Sequence, residues 1–201
     1  MRTYLDAVNF LMGVMGSPPV GSLTALPLPP DVQICVDRLD DQTKGIQNHG
    51  YWFNTNLNVV LTPETSGEIL VPSNTLKIKG LYGAVIQRGT KLFDREANSY
   101  LFTENICCHI IEELEWDLLP SSAREAAMYL AAVLICKIDL EDSTKAQDLS
   151  EFASQALMEL KSDDVQIEQT SVYQRPQVKY ALHRAQPNRS RMGNNPLYPG
   201  G

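Results

Sequence analysis

Residues whose types and spacing could do chemistry are few in this chain of 201 amino acids. Cys107, Cys108 and His109 stand in a row and offer a thiol nucleophile or metal ligands. Neighbours on a strand project to opposite faces, so the three cannot converge on one ion. The remote His49 and His183 do not complete a tetrahedral set. The reading is buried thiols on a strand, beside a partly exposed histidine. Glu112, Glu113, Glu115 and Asp117 are the densest carboxylates. They lack the Asn, Gly and carbonyl pattern of a calcium loop and read as a solvated acidic edge. Gly80-Leu81-Tyr82-Gly83 lacks the following lysine and helix of a phosphate loop and reads as a turn. No G-x-S-x-G, Walker loop or G-x-G-x-x-G occurs. The expectation is a protein with no catalytic residue, no metal and no cofactor.

Charge is more informative. Net charge is −7, yet residues 169–201 contain Arg175, Lys179, Arg184, Arg189 and Arg191 and no acid, so the C-terminal segment is +5 and the rest −12. An acidic body argues against a primary nucleic-acid binder, whose affinity rests on neutralising phosphates. The segment intersperses its cations with Tyr173, Tyr180, Tyr198 and prolines. Such a tail can stack on nucleic acid or lie as an extended strand along a protein partner. These eight residues are the candidate partner-binding set. One function class is then a small cytosolic binding or regulatory protein whose tail docks on nucleic acid or an acidic partner. The four cysteines read as reduced thiols, as in a cytosol. The N-terminal apolar stretch makes a poor signal peptide, and no apolar run reaches bilayer length.

The elements that must position these residues follow from periodicity. Leu5, Val8, Met12 and Met15 predict an amphipathic helix over 3–15, stopped by Gly16-Ser17-Pro18-Pro19. Residues 17–30 predict an extended connector, because five prolines preclude regular structure there. Pro18, Pro19, Pro29 and Pro30 are candidate contact residues on it. Asp31 caps or opens a second helix carrying Val32, Cys35, Val36, Leu39 and Ile46, ending near Gly50. Between 51 and 116 the period falls to two: Leu57, Val59 and Leu61 share a face, Leu76 and Ile78 alternate with Lys77 and Lys79, and Ile106, Cys108, Ile110, Leu114 and Trp116 line up. Residues 106–116 also allow a helix, with strand preferred. Gly67, Gly80, Gly83 and Gly89 mark turns. Pro120-Ser121-Ser122 opens a third helix with Ser122 and Glu125 at capping-box spacing. Its apolar run from Ala126 to Ile138 places it centrally. A fourth helix begins at 141–143 with a stripe of Leu149, Phe152, Ala153, Ala156, Leu157 and Leu160, antiparallel to the third. Beyond Asp164 the period is lost, and an extended tail that orders on binding is expected.

The fold class is therefore α+β: a helical bundle lobe of about four helices with an inserted antiparallel β lobe and an extended C-terminal tail. The divisions are 1–50 (helices and connector), 51–117 (β lobe), 118–164 (central and C-terminal helices) and 165–201 (tail). Trp52 and Phe53 form the expected hydrophobic junction between the second helix and the first strand.

Several landmarks carry a family resemblance. Residues 13–20 read G-V-M-G-S-P-P-V, 50–55 read G-Y-W-F-N-T, and 92–95 read L-F-D-R. Leu119-Pro120 is followed by Ala123-Arg124-Glu125. Their order and spacing over about residues 1–162 resemble the tail tubular protein A family, tail adaptors of short-tailed bacteriophages. The resemblance implies a virion tail protein made and assembled in the host cytoplasm. It implies a homo-oligomer, a twelve-subunit ring, between the portal protein and the tail nozzle, tail tubular protein B. It further implies a conduit for genome packaging, retention and ejection, with DNA passing through the bore without specific binding and no membrane involved. A ring closes through a heterologous interface, so each subunit must present two different complementary patches. A net negative wall also opposes sticking of DNA.

Overall fold

The computed structural model describes residues 2–24, 27–80 and 84–174, with side chains through 167. The chain divides into two units, Met1–Asp164 and Val165–Gly201. Helix α1 spans Tyr4–Met15 and starts on a reciprocal cap: the Asp6 amide donates to the Thr3 hydroxyl and the Thr3 amide to the Asp6 carboxylate. Two amides that a helix start leaves unpaired are thereby satisfied. Gly16 ends α1 at φ 82°, a backbone state glycine adopts without a side-chain clash. Lys145 Nζ donates to the Val14 carbonyl in the last turn.

The connector rests on the helical core through Val20, Leu23 and Leu28, while Pro18, Pro19, Pro27 and Pro29 are exposed. Asn9 accepts from the Val20 amide at 2.8 Å and donates to its carbonyl at 3.0 Å. Helix α2 covers Pro30–Gln47. Pro30, expected in the connector, is instead the first helical residue; the N–H it lacks would have no intrahelical partner there, and its φ is already helical. Pro29 occupies the cap and Asp31 the first turn, where its charge meets the positive end of the helix dipole.

The β lobe holds β1 (Thr55–Leu61), β2 (Thr75–Gly80), β3 (Val85–Arg88), β4 (Lys91–Asp94) and β5 (Ile106–Glu112). One antiparallel sheet runs β1-β5-β2, and β3-β4 form a separate hairpin. Ile69, Ile78, Leu92, Phe102, Cys108 and Ile110 make its own small core. In β2 the expected alternation holds, with Ile78 buried between exposed Lys77 and Lys79. In β1 it fails. Asn58 sits at φ 57° and the pairing with β5 shifts between Asn56 and Val59, a bulge that reverses which side chains face inward. Leu57, expected inside, is 61% exposed. Residues 106–112 are a strand, as preferred, but Leu114 and Trp116 do not extend its face, because β5 ends at Glu112 and Trp116 opens a 3-10 turn, Trp116–Leu118.

Helix α3, Ser121–Leu134, continues as a π-helical stretch, Ile135–Asp139. It is central as expected: Ala123, Ala126, Ala127, Ala131 and Ala132 are all buried in the helical core. Alanines let neighbouring backbones approach closely at little side-chain entropy cost. The expected capping box at its start is absent: Pro120 is the cap residue, and the Ser122 hydroxyl donates to Asp163 at 2.9 Å instead. Helix α4 spans Ser143–Gln174. Ser122 against Asp163 and the Tyr129–Phe152 ring stack at 5.8 Å set α4 antiparallel to α3. Arg38 clasps Asp139 with two hydrogen bonds of 3.1 Å, tying α2 to the turn between them. The fourth helix does not stop at Asp164, where an extended tail was expected to begin. It is helical through Gln174, the last described residue.

Candidate interaction surfaces

The described residues bring no catalytic constellation together, and among them no three His, Cys, Asp or Glu side chains could hold a metal ion. Cys108 is buried in the small core and donates to the Val59 carbonyl. His109 faces the other way, its Nδ1 accepting from the Asn58 amide at 3.2 Å. The histidine thus serves the bulge. Burial pushes the Cys35 thiol up to about 11 and raises those of Cys108 and Cys136 as well. Thiolate, not thiol, is the nucleophile. Iodoacetamide should therefore label the native protein first at half-buried Cys107, and Cys107→Ser should abolish that fast equivalent in intact-mass spectra. Fast labelling that survives the substitution would contradict the burial pattern.

What the chain offers is surface. Apolar side chains stand exposed in several places: Leu57 and Val60 on β1, Leu70 and Leu101 beside the hairpin, Leu118, Ile138 at the α3–α4 corner, and Phe152 and Met158 on α4. The hairpin face adds a cation on an aromatic ring, the Arg88 guanidinium lying 3.6 Å from the Phe93 centroid. Phe93 in turn meets Tyr100 edge-on at 4.9 Å. On α2, Asp37, Asp40 and Asp41 form an acidic face. Burial raises the Asp40 carboxyl above the usual range, opposed by a hydrogen bond from Tyr4 at 2.7 Å and reinforced by its neighbours Asp37, Asp41 and Glu113. Among the described residues no helix is long and apolar enough to cross a membrane.

The sequence candidates fall in three places. Pro18, Pro19, Pro29 and Pro30 are all exposed on one connector and helix start. Trp52 and Phe53 lie between α2 and β1, half-buried against the helical core, their rings edge-on at 5.2 Å. Tyr51 is the more deeply buried member of the group and stacks on Phe53. Tyr173 falls on the last turn of α4, and Arg175, Lys179, Tyr180, Arg184, Arg189, Arg191 and Tyr198 lie outside the described residues.

Sequence reasoning missed the polar clasp beneath that junction. Asn54, 2% exposed, accepts from the Tyr51 amide and donates to the carbonyls of Gln47 and Glu112 at 2.8 and 2.9 Å. Gln47, 1% exposed, accepts from the Leu114 amide and donates to the Leu114 carbonyl. Two carboxamides thus join the end of α2 to the end of β5, holding the β lobe in a fixed attitude to the bundle. The only local signal was an Asn closing a turn three residues after Tyr51.

A family model described as "Tail tubular protein" matches residues 5–180. No curated protein matches the chain.

Proposed function

Because the chain belongs to the tail tubular protein family, and is on that ground a structural protein of a phage tail, we propose that it is the adaptor subunit of a short-tailed phage. In this reading copies close into a twelve-membered ring between portal and nozzle, and the genome passes through its bore during packaging, retention and ejection. The observation that carries the reading is the spread of exposed apolar groups over separate parts of the subunit: the β1 and hairpin rim, the exposed connector prolines, and the outer side of α4. A head-to-tail ring demands two unlike patches per subunit. The body's −12 against +5 in the last 33 residues supplies complementary signs for a neighbour or for the portal, and a net negative wall lets DNA slide past.

The connector and β lobe are assigned the neighbour and nozzle contacts, and the basic segment beyond Gln174 the anchor on the portal or on an adjacent adaptor. Electron microscopy of the full chain mixed with its virion's portal should show a ring seated on the portal; solitary subunits under those conditions would overturn the reading. A chain ending at Gln174, which keeps every described residue of α4, should lose at least about tenfold in portal affinity, equivalent to roughly 1.4 kcal/mol. Undiminished binding would remove the anchor while leaving the ring intact.

A further inference from the structure

The start of α3 carries a feature that the adaptor reading does not use. A cavity of about 290 Å³ is lined by Arg2, Trp116, Ser121, Arg124, Glu125 and Met128. Arg124 is 4% exposed. Its Nε donates to the Leu119 carbonyl at 2.8 Å and its Nη1 to the Arg2 carbonyl at 3.2 Å, while Nη2 reaches no acceptor. A guanidinium stays charged when buried, and a buried charged donor without an acceptor is costly. Arg2 brings a second guanidinium to the same cavity, held over the Phe10 ring at 5.5 Å and on Met128 Sδ at 3.0 Å. Neither of those partners neutralises its charge.

Ser121, also in the lining, is the first residue of a 14-residue helix whose cap is Pro120 and which has no side-chain cap bond. The first-turn amides of such a helix present donors and the positive end of the dipole. Trp116 is fixed in the wall by its indole N–H on the Arg2 carbonyl. Two guanidiniums and an uncapped helix start converge on one cavity, against one opposing carboxylate, Glu125. We propose that this cavity is an oxyanion-binding site, in which Arg2 and the Arg124 guanidinium grip the oxygens of a phosphate or carboxylate group, Arg124 Nη2 being covered until the anion enters. Guanidinium donors match the geometry of both groups, and a helix N-terminus adds to either.

The test uses the full chain at fixed ionic strength, titrated with inorganic phosphate and separately with acetate against chloride. The readout is Trp116 emission in a Trp52→Phe background, together with the melting temperature. A saturable change is expected, weakened at least about fivefold in Arg2→Met and tightened at least about fivefold in Glu125→Gln, since each alters one unit charge beside the anion. Arg124→Met removes the unpaired donor itself. It also loses two carbonyl bonds, so the exposed Arg2 and the half-buried Glu125 variants carry the decision. A response to phosphate alone names a phosphate source, and a response to acetate a carboxylate source; either supports the site. Changes that do not saturate, or that are equal in wild type, Arg2→Met and Glu125→Gln, are general salt effects and would overturn it.

Discussion

Asn54→Ala should lower the unfolding free energy by about 3 kcal/mol or more, the largest loss expected of any single polar truncation in this chain. The substitution strips acceptor or donor from three backbone groups at once, the Tyr51 amide and the Gln47 and Glu112 carbonyls. Asn54 is buried, so water cannot take its place without opening the turn. For a chain of this size the loss corresponds to a fall in melting temperature of about 10 °C. Asn54→Asp separates geometry from hydrogen bonding: it keeps the acceptor for the Tyr51 amide but turns both donors into an oxygen facing carbonyls, and should cost at least as much. A calorimetric trace should also broaden or split as the two lobes lose their common clasp. Melting within about 2 °C of wild type for Asn54→Ala would mean the clasp holds nothing.

The second large effect is at Gly50, one step before the same turn. Its φ is 77°, and a methyl group built there would lie 2.3 Å from Ile111 Cδ1 and 2.8 Å from Ile111 Cγ1. Gly50→Ala therefore combines left-handed strain of about 1 kcal/mol with overpacking of about 1 to 3 kcal/mol. The two causes separate in a double-mutant cycle. Ile111→Val removes Cδ1, so Gly50→Ala should be less damaging in that background, with a favourable coupling of about 1 kcal/mol. Strict additivity would show that the side chain simply moves aside and that only backbone strain remains.

How far the fold was legible differs by element. Helices α1 and α2, β2 and β5 announce themselves because each buries one stripe against a partner, and the stripe is written in the period; α3 announces itself by its unbroken apolar run. Asn58 hides the bulge, since nothing in T-N-L-N-V-V-L says which asparagine leaves the ladder; the answer lies in His109, 51 residues away. The last turns of α4 were unreadable for the opposite reason. Lys161 to Gln174 has no apolar stripe, and only the lack of a proline or glycine speaks for helix. Ser122 and Glu125 stand at capping-box spacing, yet the box does not form, because Asp163 claims the Ser122 hydroxyl. Gln47, Asn54 and Arg124 belong to contacts closed by backbone carbonyls distant in sequence. A side chain's burial there depends on the finished fold.

The Asn9 clasp on Val20 has a bearing on assembly. A proline-bearing ledge pinned in place before any partner arrives surrenders little freedom on docking, so binding energy gathered there is not spent on freezing a loop. In the proposed ring such a ledge would also act as a gauge: the spacing from one copy to the next would be dictated by the unassembled subunit, and a change at Asn9 would surface as rings of irregular size before it surfaced as lost stability.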